Sequence, residues 1–294
     1  MEWLKVQPDS SIDAVCTDPP YGLVEFSRQE LVKMRSGQGG IWRIPPRIGG
    51  SERSPLPRFS ILTRDQLDNI KNYFSSWGRQ IHRVVKPGAH ILIASNSTVS
   101  PYVQIGMSES GFEIRGTIIR CYWTFRGGDR PKLAECDYPE VSVTPRGAYE
   151  PWLLFRKPLS EKTVSANLAR WGTGGLRRPS QDVPFSDLIE SEKTPRIEED
   201  IADHPCLKPQ KFMRQIVRAL LPVAKGVILD PFMGSGSTIA ASEAVGYDSI
   251  GLEIDDEYYE MAHKAIPSLA RLNVNFSAVA EKTESPGQCL FSDF

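Results

Sequence analysis

Two short stretches of this 294-residue chain carry side chains grouped as a reaction would need them. The first is Asp18-Pro19-Pro20-Tyr21-Gly22. An amine whose lone pair is delocalised into an aromatic ring is a poor nucleophile. A carboxylate and a backbone carbonyl that accept both amine hydrogens hold the nitrogen nearer to sp³ and free the lone pair. Asp18 supplies the carboxylate, and Pro19 a carbonyl without an N–H of its own. The two prolines restrict φ and keep the acceptors rigid. Tyr21 suits stacking on a base drawn out of its helix. The same letters also spell an ordinary proline turn capped by aspartate, so the stretch needs a companion.

The companion is Asp230-Pro231-Phe232-Met233-Gly234-Ser235-Gly236-Ser237-Thr238, directly after the apolar run Val227-Ile228-Leu229. Glycines there permit a tight strand-to-helix turn with backbone close to a ligand. The helix start adds free N–H groups and a partial positive charge. Glu253 stands 23 residues after Asp230, near the roughly 20-residue offset at which an acid meets ribose hydroxyls. No Gly-Lys-Ser/Thr closes the loop, so it is not a P-loop, and it is not G-x-G-x-x-G either. The arrangement favours a ligand containing adenosine, such as S-adenosylmethionine (SAM).

The elements that must position these residues can be read from periodicity. Ile12–Thr17 is a strand ending at the proline turn. Leu67, Ile70, Tyr73, Phe74, Trp77, Ile81 and Val84 recur at helical spacing, so Asp65–Val85 is a helix capped by Thr63. Lys86-Pro87-Gly88 should end it, and Ala89–Ser95 has the apolar length of a buried strand. A helix over Val99–Ser110 and strands near Phe112–Tyr122 and Tyr149–Arg156 follow, with a loop over Phe125–Arg146. Ser160–Pro205 is weakly patterned and reads as an insertion. Phe212, Met213, Ile216, Val217, Leu220 and Leu221 form one helical face. The strand Gly226–Asp230, helix Ser237–Gly246, strand Tyr247–Glu253 and helix Asp255–Leu272 make a β-α-β-α unit, hence a parallel sheet with right-handed crossovers.

Composition excludes several classes. Apolar residues make up 40% and charged residues 24%, which is neither a disordered nor a collagen-like chain. No apolar run approaches the ~18 residues of a membrane span, and no signal peptide is evident, so a cytoplasmic protein without membrane contact is expected. Five cysteines, Cys16, Cys121, Cys136, Cys206 and Cys289, lack C-x-x-C spacing and do not cluster with the four histidines, so neither a disulfide framework nor a metal site is expected. Cys16 is expected to be a buried packing residue. Net charge is −1, but its distribution is uneven. Leu23–Arg64 carries eight basic and three acidic residues, which suits phosphate contacts. Asp182–Asp203 carries eight acids against Lys193 and Arg196 and reads as a solvated linker. Arg43, Arg47, Arg126, Arg130, Arg177 and Arg178 are the candidates for phosphate contacts.

Taken together, the motifs resemble the β-group of SAM-dependent DNA amino-methyltransferases, which methylate adenine N6 or cytosine N4 and carry DPPY before FxGxG. Beyond DPPYG at 18–22 and DPFMGSGST at 230–238, the likeness includes Lys86-Pro87-Gly88, Tyr149-Glu150-Pro151-Trp152 running into Arg156-Lys157-Pro158, Gly172-Thr173-Gly174-Gly175, and His204-Pro205-Cys206-Leu207-Lys208-Pro209. It implies an α/β, Rossmann-like fold: a mostly parallel sheet with helices on both faces and a circularly permuted motif order. Residues 1–294 would form a single methyltransferase domain, with a basic insertion at about 23–63 and a short target-recognition insertion at about 160–203. Asp18, Pro19, Pro20 and Tyr21 would hold the target base. Asp230, Phe232, Gly234, Ser235, Gly236 and Ser237 would line the SAM site, Glu253 would take the ribose hydroxyls, and Lys208 would help close the cofactor pocket. SAM is the implied cofactor, with no metal, and double-stranded DNA the implied partner. A cognate restriction endonuclease and a homodimer are compatible with the resemblance. Asp rather than Ser at position 18 favours adenine N6.

Two departures stand out. The family carries a strand ending in Gly-Asp upstream of DPPY that contributes to the SAM adenine site, whereas here only Met1–Ser11 precede Ile12, so that strand is expected to be missing and SAM binding weakened. The target-recognition insertion is short and acidic, so the basic 23–63 segment is expected to meet the DNA phosphates instead. The alternatives are cytosine N4, an amine in RNA or protein glutamine, and a truncated DNA-binding remnant without catalysis.

Overall fold

A computed structural model describes residues 1–20, 62–122, 128, 130, 131, 133–204 and 206–274, together with the backbone of 47, 48, 51 and 52. Helix α1 (Glu2–Val6) leads into β1 (Ile12–Thr17). A two-stranded ribbon pairs β2 (Arg47–Ile48) with β3 (Ser51–Glu52). Then come α2 (Arg64–Val84), β4 (Val85–Ala94), α3 (Ser100–Glu109), β5 (Glu113–Cys121), β6 (Tyr149–Arg156), α4 (Val164–Trp171), β7 (Leu188–Glu190) and α5 (Arg196–Glu199). The described chain ends with α6 (Gln210–Leu220), β8 (Val227–Asp230), α7 (Ser237–Ala244), β9 (Asp248–Gly251) and α8 (Asp256–Arg271). None of the helices is long and apolar enough to cross a membrane among the described residues.

Seven strands form one sheet in the order β7-β5-β6-β4-β1-β8-β9. The pairs β4–β1, β1–β8, β8–β9 and β5–β7 are parallel, while β6 runs antiparallel to both β4 and β5. The Rossmann-like expectation therefore holds, with β6 as the reversed strand. Strand β1 is central, and all six of its residues are buried. Its one charged member, Asp13, sits at the amino end, where it pairs with Lys86 at 2.5 Å and accepts the Val227 N–H at 2.9 Å. That ties β1, β4 and β8 together where apolar packing alone would not define register.

Helix α2 lays Ile70, Phe74, Trp77, Ile81 and Val84 against one face of the sheet. Each such burial contributes about 1.5–3 kcal/mol. Thr63 caps it, in a capping box with Gln66. On the opposite face, α6 buries Phe212, Met213, Ile216, Val217 and Leu220 with Cys16 and Trp152. Cys16 is wholly buried, as expected, and burial pushes its thiol pKa well up.

Two expectations need correction. Lys86-Pro87-Gly88 does not separate helix from strand: it lies inside β4, which begins directly after α2. Gly88 takes φ +82°, and the Pro87 carbonyl accepts hydrogen bonds from Asn167 and Thr173, so the irregular start of the strand is satisfied from outside. The weakly patterned 160–205 stretch supplies α4, α5 and the edge strand β7 of the main sheet. Its acidic run is not wholly solvated: Glu198 is buried and accepts the Gln210 N–H at 2.9 Å. Of the basic 23–63 segment, only the four ribbon residues and the Leu62–Thr63 end lie within the described residues.

Candidate active site

Strands β1 and β8 are neighbours, although one opens the sheet in sequence and the other comes near its end. From β1 the chain crosses to β4 on one side, and from β8 to β9 on the other. An open α/β sheet leaves a crevice at such a reversal, beyond the carboxyl ends of the strands. Both motifs sit there. Thr17 Oγ1 donates to Asp230 Oδ1 at 2.6 Å, bridging the last residues of the two strands.

The glycine turn is held tightly. The Leu252 N–H donates to the Asp230 carbonyl, the Met233 N–H to the Leu252 carbonyl, and the Gly236 N–H to the Met233 carbonyl, at 2.8–2.9 Å. Gly234 and Gly236 have φ +50° and +84°, which L-residues adopt at a cost. Gly236 caps α7, and a Cβ there would stand 2.5 Å from Ile266 Cγ1. Replacing Gly236 by alanine is expected to destabilise the fold by about 1–2 kcal/mol, read as a fall of several degrees in the melting midpoint. An unchanged midpoint would show that the turn does not depend on this conformation.

Glu253 falls two residues beyond β9, in the turn before α8, rather than inside the strand. Its Oε2 accepts the Gly234 N–H at 2.8 Å, and its Oε1 those of Ile254 and Asp255 at 2.8 and 3.0 Å. The carboxylate is thereby oriented against the glycine turn. Asp230 is 3% exposed. Burial raises its pKa to about 6, although hydrogen bonds from Thr17, Thr238 and the Phe232 N–H pull it down. Phe232 packs on Trp77 and, with Pro19, Pro20, Tyr73, Phe74 and Ser95, lines an apolar cavity beside the proline turn.

Lys208 comes to the same crevice from the segment before α6. Its backbone N–H donates to Ser237 Oγ at 3.2 Å, and Gln210 Nε2 donates to the Ser237 carbonyl at 3.0 Å, docking this segment on the start of α7. The Lys208 ammonium lies 2.5 Å from Asp18 Oδ2 and 3.2 Å from Glu150 Oε1. Burial disfavours that ammonium, but the two carboxylates outweigh it and raise its pKa above the ordinary lysine value. Burial likewise works against the Glu150 carboxylate, yet Lys208 and Arg120 bring it down to about 2. Both groups are charged at neutral pH.

Asp18, Pro19, Asp230, Phe232, Gly234, Ser235, Gly236, Ser237, Glu253 and Lys208 thus converge, with Pro20 at the cavity wall. Tyr21 lies outside the described residues. Sequence reasoning missed four neighbours: Thr17, Glu150, Arg120 and His204. The His204 ring stands over Gly234 and meets Tyr258 edge to face at 4.5 Å. Burial lowers its pKa against the opposing pull of Asp18 and Glu253. Its signal was present, since it opens the His204–Pro209 segment. Among the described residues, no three His, Cys, Asp or Glu side chains are grouped to hold a metal.

A family model described as DNA methylase matches residues 12–264. The type II methyltransferase M.HindIII of Haemophilus influenzae is 22% identical over 88% of this chain and 90% of its own. The DNA adenine methyltransferase YhdJ of Escherichia coli is 24% identical over 95% of this chain and 82% of its own. Among solved structures, PvuII DNA methyltransferase (cytosine-N4-specific) aligns with a TM-score of 0.56 and 16% identity, over 94% of this chain and 84% of that one. M1.HpyAVI in its SAM complex aligns at 0.50 with 17% identity, over 87% and 89%. The structures share the fold, and the family model spans the sheet, the proline turn and the glycine loop: the chain belongs to the N6_N4_Mtase family of DNA methylases.

Proposed function

We propose that this DNA methylase transfers a methyl group from SAM to the N6 amine of an adenine turned out of double-stranded DNA. The observation that carries the reading is the junction of β1 and β8, where Thr17 bonds to Asp230 and sets the Asp18-Pro19-Pro20 turn beside the glycine loop. A methyl donor and an amine held by these two motifs would meet in one crevice.

The donor set fits SAM. SAM carries a sulfonium, an ammonium, a carboxylate and a ribose diol. Asp230 and Glu253 offer negative charge and acceptors, the start of α7 offers N–H groups suited to a carboxylate, and Phe232 an apolar wall. Bound there, SAM supplies a methyl whose bond to sulfur breaks as the amine lone pair forms the new N–C bond, the surplus amine proton passing to solvent. Asp18 and the Pro19 carbonyl accept the amine hydrogens and orient the lone pair. Tyr21 is assigned to stack on the base, by motif. Asp18 supports adenine over cytosine, and so does the relative named a DNA adenine methyltransferase.

The test is direct. The protein is expressed in a host without adenine or cytosine amino-methylation, and its plasmid is sequenced by a single-molecule method that detects modified bases. N6-methyladenine in one recurring short motif is the expected result. N4-methylcytosine would overturn the base assignment and keep the mechanism, and unmodified DNA from a folded protein would overturn the catalytic reading.

A further inference from the structure

Asp18 does not face its substrate alone. The Lys208 ammonium is 2.5 Å from Asp18 Oδ2 and 3.2 Å from Glu150 Oε1, so one cation stands between two carboxylates. The Lys208, Glu150 and Asp18 side chains are only 10%, 11% and 17% exposed, so water screens them little. The arrangement conflicts with the chemistry. Methyl transfer builds positive charge on the amine nitrogen, and Asp18 stabilises that charge. An ammonium held on the same carboxylate cancels part of this effect and occupies one of its two oxygens.

Glu150 is built as a fixed second acceptor. Its Oε2 accepts from Trp152 Nε1 at 3.1 Å and from Arg120 Nη1 at 3.2 Å. Arg120 is itself pinned, donating to Ser191 Oγ and to the Glu192 carbonyl at 3.0 Å each and lying 4.1 Å over the Tyr122 ring. Lysine is the flexible member of the set, on a four-carbon stem. The four charges, Asp18, Lys208, Glu150 and Arg120, alternate in sign and sum to zero. Moving Lys208 wholly onto Glu150 leaves that ammonium paired and opens the Asp18 carboxylate to the amine hydrogens.

We propose that Glu150 is a positioning residue that draws Lys208 off Asp18 when the target amine arrives, so that the amine replaces the ammonium as hydrogen-bond donor to Asp18. Lys208 is a placeholder: it neutralises the buried carboxylate in the free enzyme and yields it to the base. Arg120 keeps Glu150 in place for this exchange. The inference rests on Asp18 being the amine acceptor.

The experiment is single-turnover methyl transfer from labelled SAM to unmethylated plasmid DNA, using the full chain, with SAM affinity and melting midpoint measured alongside. Glu150→Gln removes the charge that attracts Lys208. It is expected to slow transfer at least fivefold while SAM affinity stays within twofold. Adding Lys208→Gln to that variant is expected to restore at least a threefold gain, because no ammonium is left to hold Asp18. A merely structural role for Glu150 predicts no such rescue. Transfer by Glu150→Gln less than fivefold slower than the native chain, or a double variant less than threefold faster than Glu150→Gln, overturns the proposal. If Glu150→Gln melts below the assay temperature, Glu150→Asp takes its place. It keeps the charge but shortens the reach, with slower transfer and rescue by Lys208→Gln again expected, and absence of rescue again overturning the proposal. Asp18→Ala separates the two levels of the argument: full activity there removes the acceptor reading itself, whereas loss there with no rescue above removes only the exchange.

Discussion

Replacing Asp18 by alanine is expected to lower single-turnover methyl transfer by about 10³-fold or more, equivalent to about 4 kcal/mol of lost transition-state stabilisation. SAM affinity, measured by calorimetry, should change by no more than a few-fold. The expectation follows from where Asp18 sits. It directly follows β1 at the carboxyl edge, and the adjacent Pro19-Pro20 leaves the turn little conformational freedom. The Pro19 carbonyl survives the substitution and still accepts one amine hydrogen, so transfer should not vanish entirely. The fold should survive too, because Lys208 keeps Glu150 as a partner at 3.2 Å. Asp18→Asn separates acceptor from charge. Its amide oxygen can still accept a hydrogen bond but carries no charge, so its rate should fall between the other two. An alanine variant with more than a tenth of native activity would remove Asp18 from the mechanism.

What was legible in the sequence was what depends on neighbours in the chain. Helix α2 announces itself through Ile70, Phe74, Trp77 and Ile81, spaced by three or four residues, and through Thr63 as its cap. The glycine turn is likewise local: Gly234 and Gly236 take the conformations their positions suggested. The two motifs could be assigned to one site only by resemblance, since their physical link is a hydrogen bond between residues 213 positions apart. The charge chain around Lys208 was not legible at all. Glu150 sits in an apolar strand whose pattern indicates burial and nothing of its partners, and Arg120 reaches it from the neighbouring strand, 30 residues away. Glu198 shows the same limit. In the sequence it is one acid in an acidic run, and in the fold it is buried on the Gln210 N–H. Lys86-Pro87-Gly88 misleads for a related reason. Proline and glycine usually interrupt structure, but here Asn167 and Thr173 satisfy the Pro87 carbonyl from α4 and the turn after it, and the strand begins early.

Replacing Asp230 by asparagine should separate stability from cofactor binding. The folded-state pKa, about 6, lies above the ordinary 3.8. The folded chain therefore holds the proton more tightly than the unfolded one. This group's contribution to stability is greatest below about pH 4, falls as pH rises toward 6, and stays low above that. A shift of about 2 units corresponds to about 3 kcal/mol, an upper figure for the penalty of keeping this carboxylate charged in the sheet. Asparagine never carries the charge, and its amide oxygen can still accept from Thr17 and the Phe232 N–H. The variant should accordingly melt higher than the native chain at pH 8, with the difference shrinking toward pH 4. A native chain that is the more stable at pH 8 would contradict the burial argument. Cofactor binding should move the other way. SAM carries a sulfonium, and an ionised Asp230 in the crevice favours a cation there. In the native chain SAM affinity should rise with pH through about 6 as Asp230 ionises, whereas in the asparagine variant that rise should be absent and affinity at pH 8 lower by about 10- to 100-fold, the range of an uncompensated charge contact in a partly buried site. A variant that binds SAM as tightly as the native chain at pH 8 would place the negative charge that attracts the cofactor elsewhere, with Glu253 the next residue to test.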